Sequence, residues 1–180
     1  MTCDEVLAFW FSDQIRERWF NSTPALDLEI HERFFSVYQD AINGRLAEWK
    51  NSADGCVALV ILLDQLPLNM FRGKAESFAS EEFSRLVAHH AIEKGFDQML
   101  TDQYKVFLYM PFMHSEALSD QDRSVELFDA AGLTENLKFA RHHRDIIKKF
   151  GRFPHRNSIL NRLNTPAEQD YLASKEAFLG

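Results

Sequence analysis

The stretch KKFGRFPHRN, residues 148–157, sets Lys148, Lys149, Arg152, Arg156 and an imidazole around one glycine and one proline. The wider segment from Lys138 to Arg162 holds eight Lys or Arg residues and a single acid, Asp145, although the whole chain has a formal charge of -7. Arginine forks match carboxylate and phosphate geometry, so Arg152 and Arg156 beside His155 and Asn157 can hold a small anion. Phe153, standing before Pro154, must be extended. Ile159, Leu160 and Leu163 predict a further helix from about His155, whose free N–H groups would add to an anion site. The bland alternative is that Arg152 and Arg156 pair with acids of this chain, such as Asp64 or Glu116.

Three other segments carry groups capable of chemistry. VALVILLDQLPLNMFRG, residues 57–73, runs an apolar helix into Asp64-Gln65 and then Pro67. Pro67 cannot donate to the carbonyl of Leu63 and clashes with it, so the helix ends or kinks there. A carboxylate buried at that break needs a partner. Arg72, two turns on, is the candidate, with Gln65 and Asn69 alongside. YMPFMHSEALSDQ, residues 109–121, puts Pro111 at the end of a helix and His114 and Glu116 in a turn. That pair could do acid–base work, or the two could cap helix ends. In RHHRD, residues 141–145, helical spacing aligns His143 with Phe139, Ile146 and Phe150, a core position, and leaves His142 at the edge of that face. His89-His90 reads as packing, with His90 aligned on Phe83 and Val87.

His114, Glu116, His142, His155 and Asp64 are ligand types for a metal, yet no His-Glu-x-x-His, no Cys pair and no Glu-x-x-His repeat supports one. No metal is assigned and no cofactor is identified. Ser115 lacks a nucleophile-elbow context. Phe153 could stack on a base, but the acidic whole and the lack of any nucleic-acid motif disfavour that partner.

The elements that must position these groups read as helices. Thr23-Pro24 opens one, carried by Ile30, Phe34, Val37 and Tyr38 and stopped at Gly44. Thr165-Pro166-Ala167-Glu168 is a capping box with proline at the first helical position. Thr134, Ser80 and Ser119 are placed to cap three more, and Gly151 closes the helix begun at Thr134. No segment alternates as a strand. The expectation is an all-α protein of seven to nine helices with short connections, a single domain over 1–180, and a helix pair formed by 120–132 and 134–150. With 46 % hydrophobic residues the chain can bury a core. Its longest strictly apolar run, Cys56–Leu63, is too short to span a bilayer. An acidic start and two cysteines without metal spacing point to a cytoplasmic protein with free thiols and no membrane partner.

VLAFWF (6–11), RWF (18–20), VILLDQLPLNMFRG (60–73), PFMHSEALSDQDRSVELF (111–128), HRDIIKKFGRFPHRNSIL (143–160) and NTPAEQDYL (164–172) together resemble the bacterial family named domain of unknown function 924. The resemblance implies a fold similar to tetratricopeptide-like arrays of antiparallel helix pairs, and no activity. It places the family's polar pattern on Asp64, Gln65, Asn69, Arg72, His114, Ser115, Glu116, Arg152, His155, Arg156 and Asn157. Leu68 stands where the family usually has Arg, and Asn161 where it usually has Gly.

Three functions fit these residues. The first is a cleft for a small anionic ligand, held by Arg152, Arg156 and Arg72 with His114, His142 and His155. The second is a hydrolase or lyase using His114 and Glu116. The third is a scaffold for a protein or peptide partner, as tetratricopeptide-like folds are.

Overall fold

Eighteen residues, Ala53–Met70, form a rod that is apolar enough to cross a membrane by length and composition, yet 83 % of it is buried inside the protein. A helix that is hydrophobic all round is a core helix. In the computed structural model, which describes residues 1–179, contacts divide the chain into two compact units. The first holds Met1–Arg72 and Glu76–Pro111; the second holds Gly73–Ala75 and the chain from Phe112 onward. Each is described by itself.

The first unit wraps the rod. Its elements are α1 (Cys3–Trp10), the single turn α2 (Asp13–Arg16), α3 (Pro24–Ile42), α4 (Ala53–Val60), a π-helical stretch Ile61–Gln65, α5 (Leu66–Met70), α6 (Glu81–Glu93) and α7 (Asp102–Met113), which runs across the boundary of the units. Helices α1 and α6 pack on α4, and α3 packs on α5. Thr23 caps α3 by accepting from the Leu26 N–H, and Ile30, Phe34, Val37 and Tyr38 are its buried stripe, as the spacing predicts. On α6 the buried face is Ser84, Val87, Ala88 and Ala91; Phe83 lies 49 % exposed, off the stripe expected to include it. His90 instead meets the Lys50 carbonyl at 3.1 Å.

Pro67 does not end the rod. The π-helical stretch absorbs the break and α5 continues the axis. The carbonyl that Pro67 leaves without a donor, that of Leu63, accepts instead from the Ser80 hydroxyl at 2.6 Å, deep in the core. Ser80 therefore does not cap α6 with its side chain, the role its position suggested. Gly55, early in the rod, packs so closely on the Trp49 carbonyl that a Cβ there would clash with backbone.

The second unit contains α8 (Leu118–Ala130), α9 (Thr134–Phe150), a 3-10 turn at Pro154–Arg156 and α10 (Pro166–Leu172). Helices α8 and α9 are the expected pair. They are joined at Gly132, which is left-handed at φ 68°, with Leu133 N–H donating to Phe128 O and Gly132 N–H to Asp129 O, both at 3.0 Å. The caps differ from expectation by a residue or two: Leu133 stands at the cap of α9 and Ala117 at that of α8, so Thr134 and Ser119 are already helical. Pro111 also sits inside α7, two residues before its end, rather than terminating it. Counting α4, the π stretch and α5 as one rod, the described residues form nine helices and no strand. The protein is all-α.

Removing the Ser80 hydroxyl strands a buried carbonyl, whereas the equally buried Ser84 hydroxyl has no partner to lose. Ser80→Ala is expected to destabilise the protein by about 1–3 kcal/mol in urea titrations, while Ser84→Ala is neutral or stabilising. Equal losses from the two would show that the Leu63 carbonyl does not depend on Ser80.

Candidate functional site

Of the residues singled out from the sequence, Asp64, Gln65, Asn69 and Arg72 lie in the first unit. His114, Glu116, His142, Arg152, His155, Arg156 and Asn157 lie in the second.

In the first unit Asp64 is 2 % exposed and accepts from the Gln65 amide of the next residue. Arg72 does not reach it. Phe71 leaves helical geometry at φ -124°, so Arg72 stands past the end of α5 and turns to Asp27 on α3. The pair is bidentate, with Nε to Oδ2 at 2.6 Å and Nη2 to Oδ1 at 3.1 Å. Asn69 and Ser22 also donate to Asp27 Oδ1, at 2.8 and 2.7 Å. Burial raises the Asp27 pKa, but these donors outweigh it and leave the carboxyl below its ordinary value. Leu68, where the family resemblance places Arg, is half-buried on the rod.

In the second unit Gly151 closes α9 in the left-handed region at φ 71°. Phe153 is extended and fully buried, as its place before Pro154 requires. Beyond it comes only the 3-10 turn Pro154–Arg156 and a run of turns, not the predicted helix; Leu163, expected to help bury it, is 90 % exposed. The reason is Asn161 at φ 53°, a conformation that glycine and asparagine tolerate. It lets the Arg162 N–H close back on the Asn157 carbonyl at 2.8 Å. The anion-binding helix N-terminus expected here is therefore absent.

Glu116 organises this turn. Its Oε1 accepts from the Phe153 N–H at 2.8 Å and from Arg162 Nη2 at 2.9 Å, and its Oε2 accepts from Arg162 Nη1 at 2.7 Å. Arg162 also donates to the Phe153 carbonyl at 3.2 Å. Burial opposes ionisation of Glu116, yet these donors hold its pKa below the ordinary value. Arg152 is clamped in the same manner: Nε and Nη2 donate to Glu168 at 2.7 and 2.8 Å, and Nη2 also donates to the Leu163 carbonyl at 2.8 Å. Glu168 is at once the third-position acid of the Thr165 capping box. Its pKa falls to about 2, chiefly through Arg152. Ser115 donates to Asp120 at 2.6 Å and accepts from the Ala117 N–H at 3.2 Å, which makes it a turn residue.

The histidines gather around Phe178. Its ring lies 4.5 Å from that of His143, 5.0 Å from His155 and 6.2 Å from His142, and its N–H donates to the Tyr171 hydroxyl at 2.9 Å. His143 is buried as its spacing predicts, although Phe139 on the supposed same face is 57 % exposed. A carbonyl can only accept, so the 2.8 Å contact with Phe139 O puts a proton on His143 Nδ1 and leaves Nε2 bare in the neutral ring. Burial drives the His143 pKa down to about 3, with the charges of His114, His142 and His155 adding. Burial, then Arg156, pushes His155 down to about 4. The Arg156 guanidinium is 6 % exposed and lies 4.7 Å from the centre of the Phe153 ring. Asn157 is fully buried, and its Nδ2 donates to Asn164 at 2.7 Å. Among the described residues no three His, Cys, Asp or Glu side chains come together as a metal site.

A family model described as bacterial protein of unknown function (DUF924) matches residues 6–176. The chain belongs to this family. A solved structure of a protein of unknown function from Agrobacterium tumefaciens is similar to it, with 38 % sequence identity and a TM-score of 0.90 over 95 % of this chain and 96 % of the other. Comparison with curated proteins returned no match. For this DUF924 chain, sequence reasoning located the turn but missed Arg162, Glu168 and Phe178. Arg162 belongs to the basic run and Glu168 to a legible capping box, so both carried a signal. Phe178 carried none.

Two outcomes follow. Glu116→Ala would leave the Phe153 N–H and Arg162 without their acceptor, and is expected to cost about 1–3 kcal/mol by urea titration. Histidine pKa values depressed in the folded state contribute stability above the ordinary value of 6.5 that is lost as pH falls through about 4 for His155 and about 3 for His143. NMR titration should show both rings still neutral as pH falls below 6.5, with His155 charging only near 4 and His143 only near 3, and His143→Gln should flatten the loss of stability toward acid. Rings that titrate at the ordinary value would contradict this enclosure.

Proposed function

We propose that this protein binds a small polar molecule at the Phe153–Asn157 turn, beneath Phe178. One observation carries the reading: among the described residues, Asn157 Oδ1 and His155 Nδ1 of that turn are enclosed and lack a hydrogen-bond partner. Because Asn157 Nδ2 is committed to Asn164, its Oδ1 is a bare acceptor. Leaving such a group unsatisfied costs about 1–3 kcal/mol, and native folds keep few of them. A ligand carrying O–H or N–H groups would supply the donor, and the neutral imidazoles would add Nε2 of His143 as a second acceptor.

This changes the chemistry anticipated from the arginines. Arg152 and Arg72 each engage a carboxylate of the chain through two nitrogens, so a bound anion would have to displace Glu168 or Asp27. Acid–base turnover on Glu116 gains nothing from a carboxylate held ionised by Arg162. The peptide-scaffold reading rests on fold resemblance alone. We place the protein in the cytoplasm, where its two free cysteines would persist.

Native and denatured mass spectra of freshly purified protein test the reading. The expected result is a dissociable extra mass in the native spectrum that disappears in His155→Leu. Identical masses, with no thermal shift from a panel of polyols, amines and amides, would remove its support.

A further inference from the structure

Among the described residues, a cavity of about 310 Å³ in the first unit opens between the α1–α2 corner and α3, and none of the candidate site residues named from the sequence lines it. Its apolar floor is Ala8, Phe9 and Ile15, and Gln14, Glu29 and Arg33 stand at its sides. Glu29 and Arg33 are one turn apart on α3, the spacing at which such charges ordinarily pair. Here they do not: neither forms an ion pair within 4.0 Å among the described residues, although Arg33 stands near enough to Glu5 of α1 to help lower that carboxyl's pKa. Arg33 instead sits over Phe9, with its guanidinium carbon 4.7 Å from that ring centre and 5.2 Å from that of Phe34. Stacking on a ring face leaves the N–H fork of an arginine available for an acceptor. The cavity thus presents an open cation, an open carboxylate and an apolar floor, and its volume lies at the lower end of the range that small ligands occupy.

We infer that this cavity is a binding site for a free α-amino acid with an apolar side chain. The ligand's carboxylate lies on the Arg33 fork and its ammonium on Glu29. Its side chain covers Ala8, Phe9 and Ile15, and Gln14 supplies a neutral polar contact at the rim. A free amino acid suits this better than a chain terminus, because one carbon bears both charges and both wall groups come from a single helical turn. The site is independent of the one proposed at the Phe153–Asn157 turn, since every residue named belongs to the first unit.

Isothermal titration with L-leucine, isocaproate and isoamylamine tests it. The second probe lacks the ammonium and the third lacks the carboxylate, with the side chain unchanged. Leucine is expected to bind at least about tenfold more tightly than either. Arg33→Gln should erase its advantage over isoamylamine, and Glu29→Gln its advantage over isocaproate. Both residues are exposed, so neither change threatens the fold, which circular dichroism verifies. His155→Leu should leave the leucine titration unchanged. Absence of saturable heat with leucine, equal affinity for leucine and isocaproate, or leucine binding indifferent to both cavity variants would each overturn the inference.

Discussion

A carboxylate cannot be drawn out of water without donors to replace its hydration, and in three places among the described residues this protein meets that requirement with an arginine fork. Asp27 takes Arg72, Glu116 takes Arg162 and Glu168 takes Arg152. Each pair also holds backbone or a neighbouring side chain: Asn69 beside Asp27, both polar groups of Phe153 beside Glu116 and Arg162, the Thr165 N–H on Glu168. Five of the eight cations in residues 138–162 also meet acids of the chain. Lys138, Arg141, Arg144, Arg152 and Arg162 face Glu135, Asp129, Asp122, Glu168 and Glu116, four of those five acids at distances of 2.7 to 3.9 Å belonging to elements other than α9. The exposed pairs contribute little individually. The half-buried ones fix where the chain goes after Gly151, because Glu116 holds the Phe153 N–H and, through Arg162, the Phe153 carbonyl.

What the sequence shows well is what is local. The start, stripe and stop of α3 are all within its own residues, and the capping box of α10 lies in four consecutive ones. The break at Pro67 is legible for the same reason, but its repair is not. Ser80 is 17 residues away and stands where a helix cap would be expected, so nothing local announces that its hydroxyl serves the Leu63 carbonyl. Arg72 was given the nearest buried acid along a regular helix. That inference fails because the helix stops at Met70, and a partner 45 residues back in the chain then wins. Pro111 illustrates the opposite error. Only two residues of α7 follow it, so little helix remains to be disrupted, and the axis simply runs to its end.

The turn at residues 153–157 was visible as a cluster of chemistry-bearing residues, and its internal roles were not. Spacing reads arginines as open forks because it cannot see acids folded in from elsewhere. It read a helix after His155 because Ile159, Leu160 and Leu163 have helical spacing. Asn161 decides otherwise: a residue in the left-handed region ends a turn rather than extending a helix, which also accounts for the Gly that the family resemblance places there.

These pairings bear on how a site is recognised in a protein of this kind. Glu168 is positioned by the capping box of α10 before any ligand is considered, with its oxygens aimed at Arg152 and the Thr165 N–H. A carboxylate preorganised in this way competes with one from solution as an intramolecular group, without the translational cost of association. Counting cations therefore overestimates anion sites wherever the fold supplies its own acids. Polar atoms that the fold leaves without partners are the better guide. At the Phe153–Asn157 turn the proposed reading rests on an amide oxygen and an imidazole nitrogen, beside rings that burial keeps neutral.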